Sequence, residues 1–121
     1  MTCPYLFVYG TLRRGSENRH ASLLQSAGRF LGRGRIAGRL YSFGRHPGAV
    51  RSVVAGEWVR GEVFLLKKGP QTLNALDRYE GPKYARVTCL VELPSGSQIT
   101  AWIYILRREP VGGRVMSGEW I

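Results

Sequence analysis

The chain has 121 residues, 44% of them hydrophobic and 21% charged, which excludes a disordered or fibrous polymer and suits one globular domain over residues 1–121. Its formal charge of +10 keeps it soluble and draws anions, without choosing among nucleic acid, an anionic membrane surface and a small acidic substrate. Sixteen glycines mean many turns, and turns suit a fold of short strands.

In chain order, the run YLFVY at residues 5–9 reads as a buried strand that ends at Gly10. The loop TLRRGS follows. Ser16 is the expected N-cap of a helix over ENRHASLLQS, with Glu17 in its first turn and Gly28 at its exit. From residue 29 to about residue 66 the pattern is β-like. Ile36, Leu40 and Phe43 are its apolar anchors, GRHPGAV is a loop turning at Pro47-Gly48, and two strands follow with a break near Gly56 or Gly61. Pro70 marks the first turn of a second helix, QTLNALDRYE. Leu73 and Leu76 share one face, Gly81 suits a left-handed C′ position, and Pro82 is the stop. YARVTCLVEL and ITAWIYIL pair as an antiparallel hairpin across PSGSQ. The tail is turn-rich, with Trp120 as an anchor. The expected fold is therefore α+β, a small mixed sheet curled toward a barrel with two main helices.

No stretch approaches the roughly 20 apolar residues of a membrane span. The opening MTCPYLFVYG lacks the basic leader and apolar length of a signal peptide, so a cytoplasmic protein is expected. Cys3 and Cys89 form no CxxC pair. Cys89 lies in an alternating run and reads as a small hydrophobe.

Familiar catalytic constellations are thin. There is no GxSxG and no P-loop, and no cluster of residue types points to a metal. His20 lies in a helical pattern and His46 in a turn, and neither reads as a ligand. Two features remain. In strand–YGTLRRGS–helix, a glycine at the strand's exit lets main-chain N–H groups face an anion or oxyanion, and Arg13 and Arg14 add positive charge. The bland alternative is an ordinary strand-to-helix turn with solvated arginines. The second feature is Glu80, a carboxylate at a helix C-terminus. The helix dipole, Asp77 at i−3 and burial against Tyr79 or Tyr84 would raise its pKa, while Arg78 and Lys83 would lower it. Its bland alternative is a solvated glutamate in a last turn.

VYGTLRRG before a helix, then GEVF, LDRYEG-x-x-Y-x-R and AWIYI, in this order, resembles the γ-glutamylcyclotransferase-like proteins, in particular the small branch that includes γ-glutamylamine cyclotransferases. The resemblance runs from about residue 5 to residue 106. It implies a small β-barrel-like α+β fold with its active site at the barrel mouth, a γ-glutamyl small-molecule substrate, and no cofactor or metal. It implies a reaction in which the substrate's α-amine closes on its own γ-carbonyl, releasing 5-oxoproline and an amine. Glu80 falls on the family's general acid/base. Tyr9, Gly10, Thr11 and Leu12 fall on its substrate-holding loop, which Arg13 extends, and Tyr84 and Tyr104 resemble aromatic positions near its pocket. Segment 29–60 carries seven arginines against one acid, Glu57, which the resemblance does not explain. Two other readings stand beside this one. One is a non-catalytic member of the fold that binds a small metabolite. The other is a basic nucleic-acid-binding module, suggested by the mix of Arg, Gly and aromatics in RFLGRGRIAGRLYSFGRH.

Overall fold

The computed structural model describes residues 3–16 and 18–120. Strand β1 (Tyr5–Val8) leads through a loop into helix α1 (Arg19–Ala27). The long strand β2 (Gly28–Phe43), β3 (His46–Arg51) and β4 (Trp58–Leu66) follow. Helix α2 (Gly69–Glu80), the hairpin β5 (Tyr84–Glu92) and β6 (Gln98–Leu106), and the short β7 (Arg114–Val115) complete the order.

The sheet closes on itself. β1 pairs antiparallel with β4, β4 with β2, and β2 with β3. β6 then joins β3 in parallel at Ala49 and Ile105, and β1 in parallel at Leu6 and Trp102. This ring is the mixed barrel that the sequence led us to expect. β5 flanks β6 and reaches β2 at Arg35 and Glu92, and β7 pairs with β2.

Alternation explains why YLFV is apolar throughout. Side chains alternate across a strand, and here both faces are covered. Phe7 enters the barrel interior with Ile36, Leu40, Val59, Val63 and Ile103. Leu6 and Val8 face outward and pack with Leu24 of α1 and Leu73 and Leu76 of α2. The helices thus lie against one side of the barrel, which carries the C-terminus of α2 to the end of β1.

Three local expectations change. The α1 N-cap is Asn18, not Ser16: its Oδ1 accepts the Ala21 N–H at 2.8 Å and its Nδ2 donates to the Thr11 carbonyl at 2.7 Å. Glu17 lies outside the described residues. His46, Pro47 and Gly48 form the start of β3 rather than a turn, and the chain reverses instead at Gly44 and Arg45, between the paired Phe43 and His46. Tertiary packing selects this register. A Cβ on Gly48 would lie 2.5 Å from Leu106, so β6 can approach only a bare backbone there. Phe43, expected as an anchor, is 43% exposed because it sits at that hairpin's end.

The second helix follows the sequence closely. Pro70 occupies its first turn, and Gly81 ends it at φ +81° and ψ −173°, an extended positive-φ conformation open mainly to glycine rather than the left-handed helical one expected. Among the described residues, no helix is long and apolar enough to cross a membrane, and no three metal-ligating side chains gather. Both cysteines are free. Cys89 packs against the barrel core, and burial pushes its thiol up to about 11.

Candidate active site

The exit of β1, the end of α2 and the first residues of β3 and β5 meet at one end of the barrel. Between them is a narrow cleft lined by residues 7–12, His46, Pro47, Glu80, Tyr84 and Tyr104. Glu80 and the loop at residues 9–12, some 70 positions apart in sequence, therefore share one cavity.

The loop is held rigidly from beneath. Tyr9 is buried, and its hydroxyl donates to the Tyr104 carbonyl at 2.6 Å and accepts the Ala49 N–H at 3.1 Å. The Tyr9 ring is thus a strut across the barrel, and what it offers the cleft is main chain. Tyr9→Phe should leave that carbonyl and N–H unpaired, lowering unfolding free energy by about 1–2 kcal/mol in a urea titration. Gly10 passes so close to β3 that a Cβ would lie 2.4 Å from Pro47 Cγ. The main-chain N–H groups of Gly10, Thr11 and Leu12 make no hydrogen bond among the described residues. Thr11 Oγ1 and Tyr79 Oη lie 2.8 Å apart, and His20 stacks on Tyr79 at 4.2 Å between ring centroids. His20 is therefore a packing partner of the α2 end.

Burial alone pushes the Glu80 carboxyl from its ordinary 4.5 up to about 7. Its expected like-charged neighbour points elsewhere. Asp77 accepts from Arg86 Nε and Nη2 at 2.8 and 3.3 Å and from the Tyr104 hydroxyl at 2.7 Å. Burial pushes Asp77 up, but these partners prevail and hold its carboxyl below the usual range. Arg86 in turn covers the Trp102 ring. Among the described residues Glu80 has no ion-pair partner, so Arg78 and Lys83 do not offset its burial.

Two tyrosines complete the wall. Tyr84 donates its hydroxyl to the Pro47 carbonyl at 2.6 Å, and burial with the Glu80 charge pushes it up to about 12. Tyr104 is buried and held by Asp77. Arg13 is not part of this cleft. Its Nε donates to the Gly10 carbonyl at 3.3 Å and its Nη2 to the Trp120 carbonyl, which turns the guanidinium toward the C-terminal tail. His46 and Pro47 line the cleft although no local signal marked them. They reach it only because β3 pairs with β2 at the register described above.

A sequence model described as gamma-glutamyl cyclotransferase, AIG2-like, matches residues 6–121. The chain belongs to that family. A Vibrio cholerae relative, provisionally named a gamma-glutamylcyclotransferase, is 38% identical over 122 residues, 95% of this chain and 93% of its own length. A Niallia circulans relative named gamma-L-glutamyl-butirosin B gamma-glutamyl cyclotransferase is 34% identical over 114 residues, 88% of this chain and 69% of its own. Among solved structures, YkqA from Bacillus subtilis superposes with a TM-score of 0.77 at 28% identity, over 97% of this chain and 39% of that one. The family is thus represented here by a closed barrel with two helices.

Proposed function

We propose that this chain is a cytoplasmic, single-domain cyclotransferase. It converts a γ-glutamyl amine or amide into 5-oxoproline and a free amine. The observation that carries this reading is Glu80, a carboxyl whose pKa burial raises to about 7, in one cleft with residues 10–12, whose main-chain N–H groups make no hydrogen bond among the described residues.

The chemistry follows from what the substrate brings. Its α-amine and γ-carbonyl are in one molecule, so closure of a five-membered ring needs no protein nucleophile and starts with a high effective molarity. The Glu80 carboxylate takes a proton from the α-ammonium. The freed nitrogen attacks the γ-carbonyl carbon, and the carbonyl oxygen becomes an oxyanion. N–H donors of residues 10–12 meet that charge, as an oxyanion hole does. Glu80 returns its proton to the leaving nitrogen, and the tetrahedral centre collapses as the C–N bond to that amine breaks. The ring nitrogen gives up its second proton to the regenerated Glu80 carboxylate, which passes it to the departing amine. A carboxyl near pH 7 serves both steps, since it is basic enough to take the proton and acidic enough to give it back. Metal or cofactor chemistry is not needed for this sequence of proton transfers. Tyr84 and Tyr104 shape the wall that excludes water.

The test is a product assay. γ-Glutamyl amino acids, γ-glutamyl-ε-lysine and γ-glutamyl alkylamines are each incubated with the purified chain, and 5-oxoproline is quantified by mass spectrometry. At least one class should turn over, and silence across all three overturns the reading. The pH dependence is a second check. Because the carboxylate form starts the reaction, kcat/KM should rise about tenfold per pH unit below about 7 and flatten above it. A profile that is flat from pH 5 to 8 removes Glu80 from the base role.

A further inference from the structure

The arginines of segment 29–60 point to a second site. On the barrel's flank, where β2 and β4 run side by side, a cleft of about 390 Å³ closes against the turn between β5 and β6. It shares no lining residue with the Glu80 cleft. Its charged lining is Arg13, Arg33, Arg35 and Arg60 with Glu62, Glu92 and Glu119.

All three carboxylates are already engaged. Arg35 grips Glu92 through Nε and Nη2 at 2.9 and 2.6 Å and lays its guanidinium on the Trp58 ring. Glu62 accepts the Arg14 main-chain N–H at 2.7 Å and lies 3.8 Å from Arg14 Nε. Glu119 lies 3.9 Å from Arg13. Arg33 and Arg60 have no carboxylate partner among the described residues. With Arg14 included, five guanidinia meet three carboxylates, an excess of two positive charges.

The strand register builds this excess in. Arg35 stands directly opposite Arg60, and Arg33 opposite Glu62, around the pair Gly34 and Gly61. Arg35 is already neutralised by Glu92, so Arg33 and Arg60, diagonal to each other across the Gly34–Gly61 pair, are the two cations that this register leaves without a carboxylate among the described residues. Between these pairs the backbone packs directly on the barrel core, where a Cβ on Gly34 would lie 2.6 Å from Val91.

We propose that this cleft binds a small phosphate monoester, held between the Arg33 and Arg60 guanidinia. A phosphate monoester carries close to two negative charges at neutral pH, which matches the two uncompensated arginines. Planar guanidinium forks fit its oxygens in pairs. A cleft of this size accommodates a small molecule, with the exposed Arg33 and Arg60 at its rim. Binding of single-stranded nucleic acid favours open aromatic faces for stacking, and the Trp58 face here is already covered by Arg35.

The test is isothermal titration of the purified chain in low-salt, phosphate-free buffer at pH 7.5. The probes are glucose 6-phosphate, inorganic phosphate and glucose, with a 12-nucleotide single-stranded RNA as a further arm. Glucose 6-phosphate should bind and glucose should not. Binding of inorganic phosphate with equal affinity assigns the contact to the phosphate group alone, and weaker binding assigns part of it to the sugar. Both outcomes support the site. The double variant Arg33→Gln, Arg60→Gln should weaken binding at least tenfold, and Arg33→Lys, Arg60→Lys, which keeps charge but loses the forks, should fall between. Near-UV circular dichroism checks that each variant is folded. Glu80→Gln should leave the affinity unchanged, which separates this site from the cyclisation reaction. The proposal is overturned if glucose 6-phosphate fails to bind, if the arginine variants bind it as well as the parent, or if RNA alone binds through these arginines.

Discussion

Glu80→Gln is expected to lower kcat for 5-oxoproline release by about 10³-fold, with KM changing less than threefold. The amide keeps the carboxyl's shape and fills the same space beside Tyr84 and Tyr104, so substrate should still enter. What disappears is the proposed proton carrier. In the proposed reaction one group serves as base toward the α-ammonium and as acid toward the leaving nitrogen, so its loss acts on both steps. The measurement is a single-turnover assay of the folded variant with whichever γ-glutamyl compound the parent cyclises. A variant that retains more than a tenth of the parent rate would show that the carboxyl is not the proton carrier, leaving the barrel and its family membership untouched.

The same substitution is expected to stabilise the protein, in one direction of pH only. The folded-state pKa of Glu80 lies near 7, above its ordinary value of 4.5. Between those values the folded protein holds a proton that the unfolded chain has released. Unfolding therefore releases a proton, and rising pH favours it. The penalty is absent below about pH 4.5, grows through the interval and is complete above about 7. Glutamine does not titrate, so Glu80→Gln should match the parent at pH 4.5 and exceed it at pH 8. The gain is at most about 3 kcal/mol from a shift of this size, and smaller where water reaches the half-buried group. Urea titrations of both proteins at pH 4.5 and 8 decide the matter, and a constant difference across pH would mean that Glu80 titrates normally. A variant less active and more stable is the signature of a site that holds a group in a state the fold disfavours.

Most of the architecture was legible because local and tertiary preferences agree. YLFV is apolar on both faces because the barrel interior and the helices each claim one. Pro70 and Gly81 mark the two ends of α2. The strands 84–93 and 99–106 needed little more than alternation and a turn. Legibility failed where a distant contact chose between similar local options. Ser16 and Asn18 are both good caps, and the bond from Asn18 to the Thr11 carbonyl selects the second. Pro47-Gly48 has the composition of a turn, but the approach of Leu106 from β6 makes it strand. At the cleft, the meeting of Glu80 with the loop at residues 9–12 was implied only by the family resemblance, since no local pattern brings residues so far apart together. The cause of the raised pKa was only partly so. The i−3 spacing suggested repulsion from Asp77, but Arg86 on β5 takes that carboxylate away, a contact that no helical periodicity encodes.

The strut from Tyr9 to Tyr104 spans 95 positions of the chain, and its consequence concerns synthesis. The ribosome delivers the first strand long before its partner. Until the sixth strand emerges, the apolar stretch YLFV has only part of its cover, and the Tyr9 strut beside it lacks the Tyr104 carbonyl at its far end. Barrels closed by such distant pairings form slowly. The cleft is therefore among the last parts of this molecule to form, and a chain cut short before residue 104 would carry Glu80 and every residue of the loop without the strut that joins Tyr9 to the far strand.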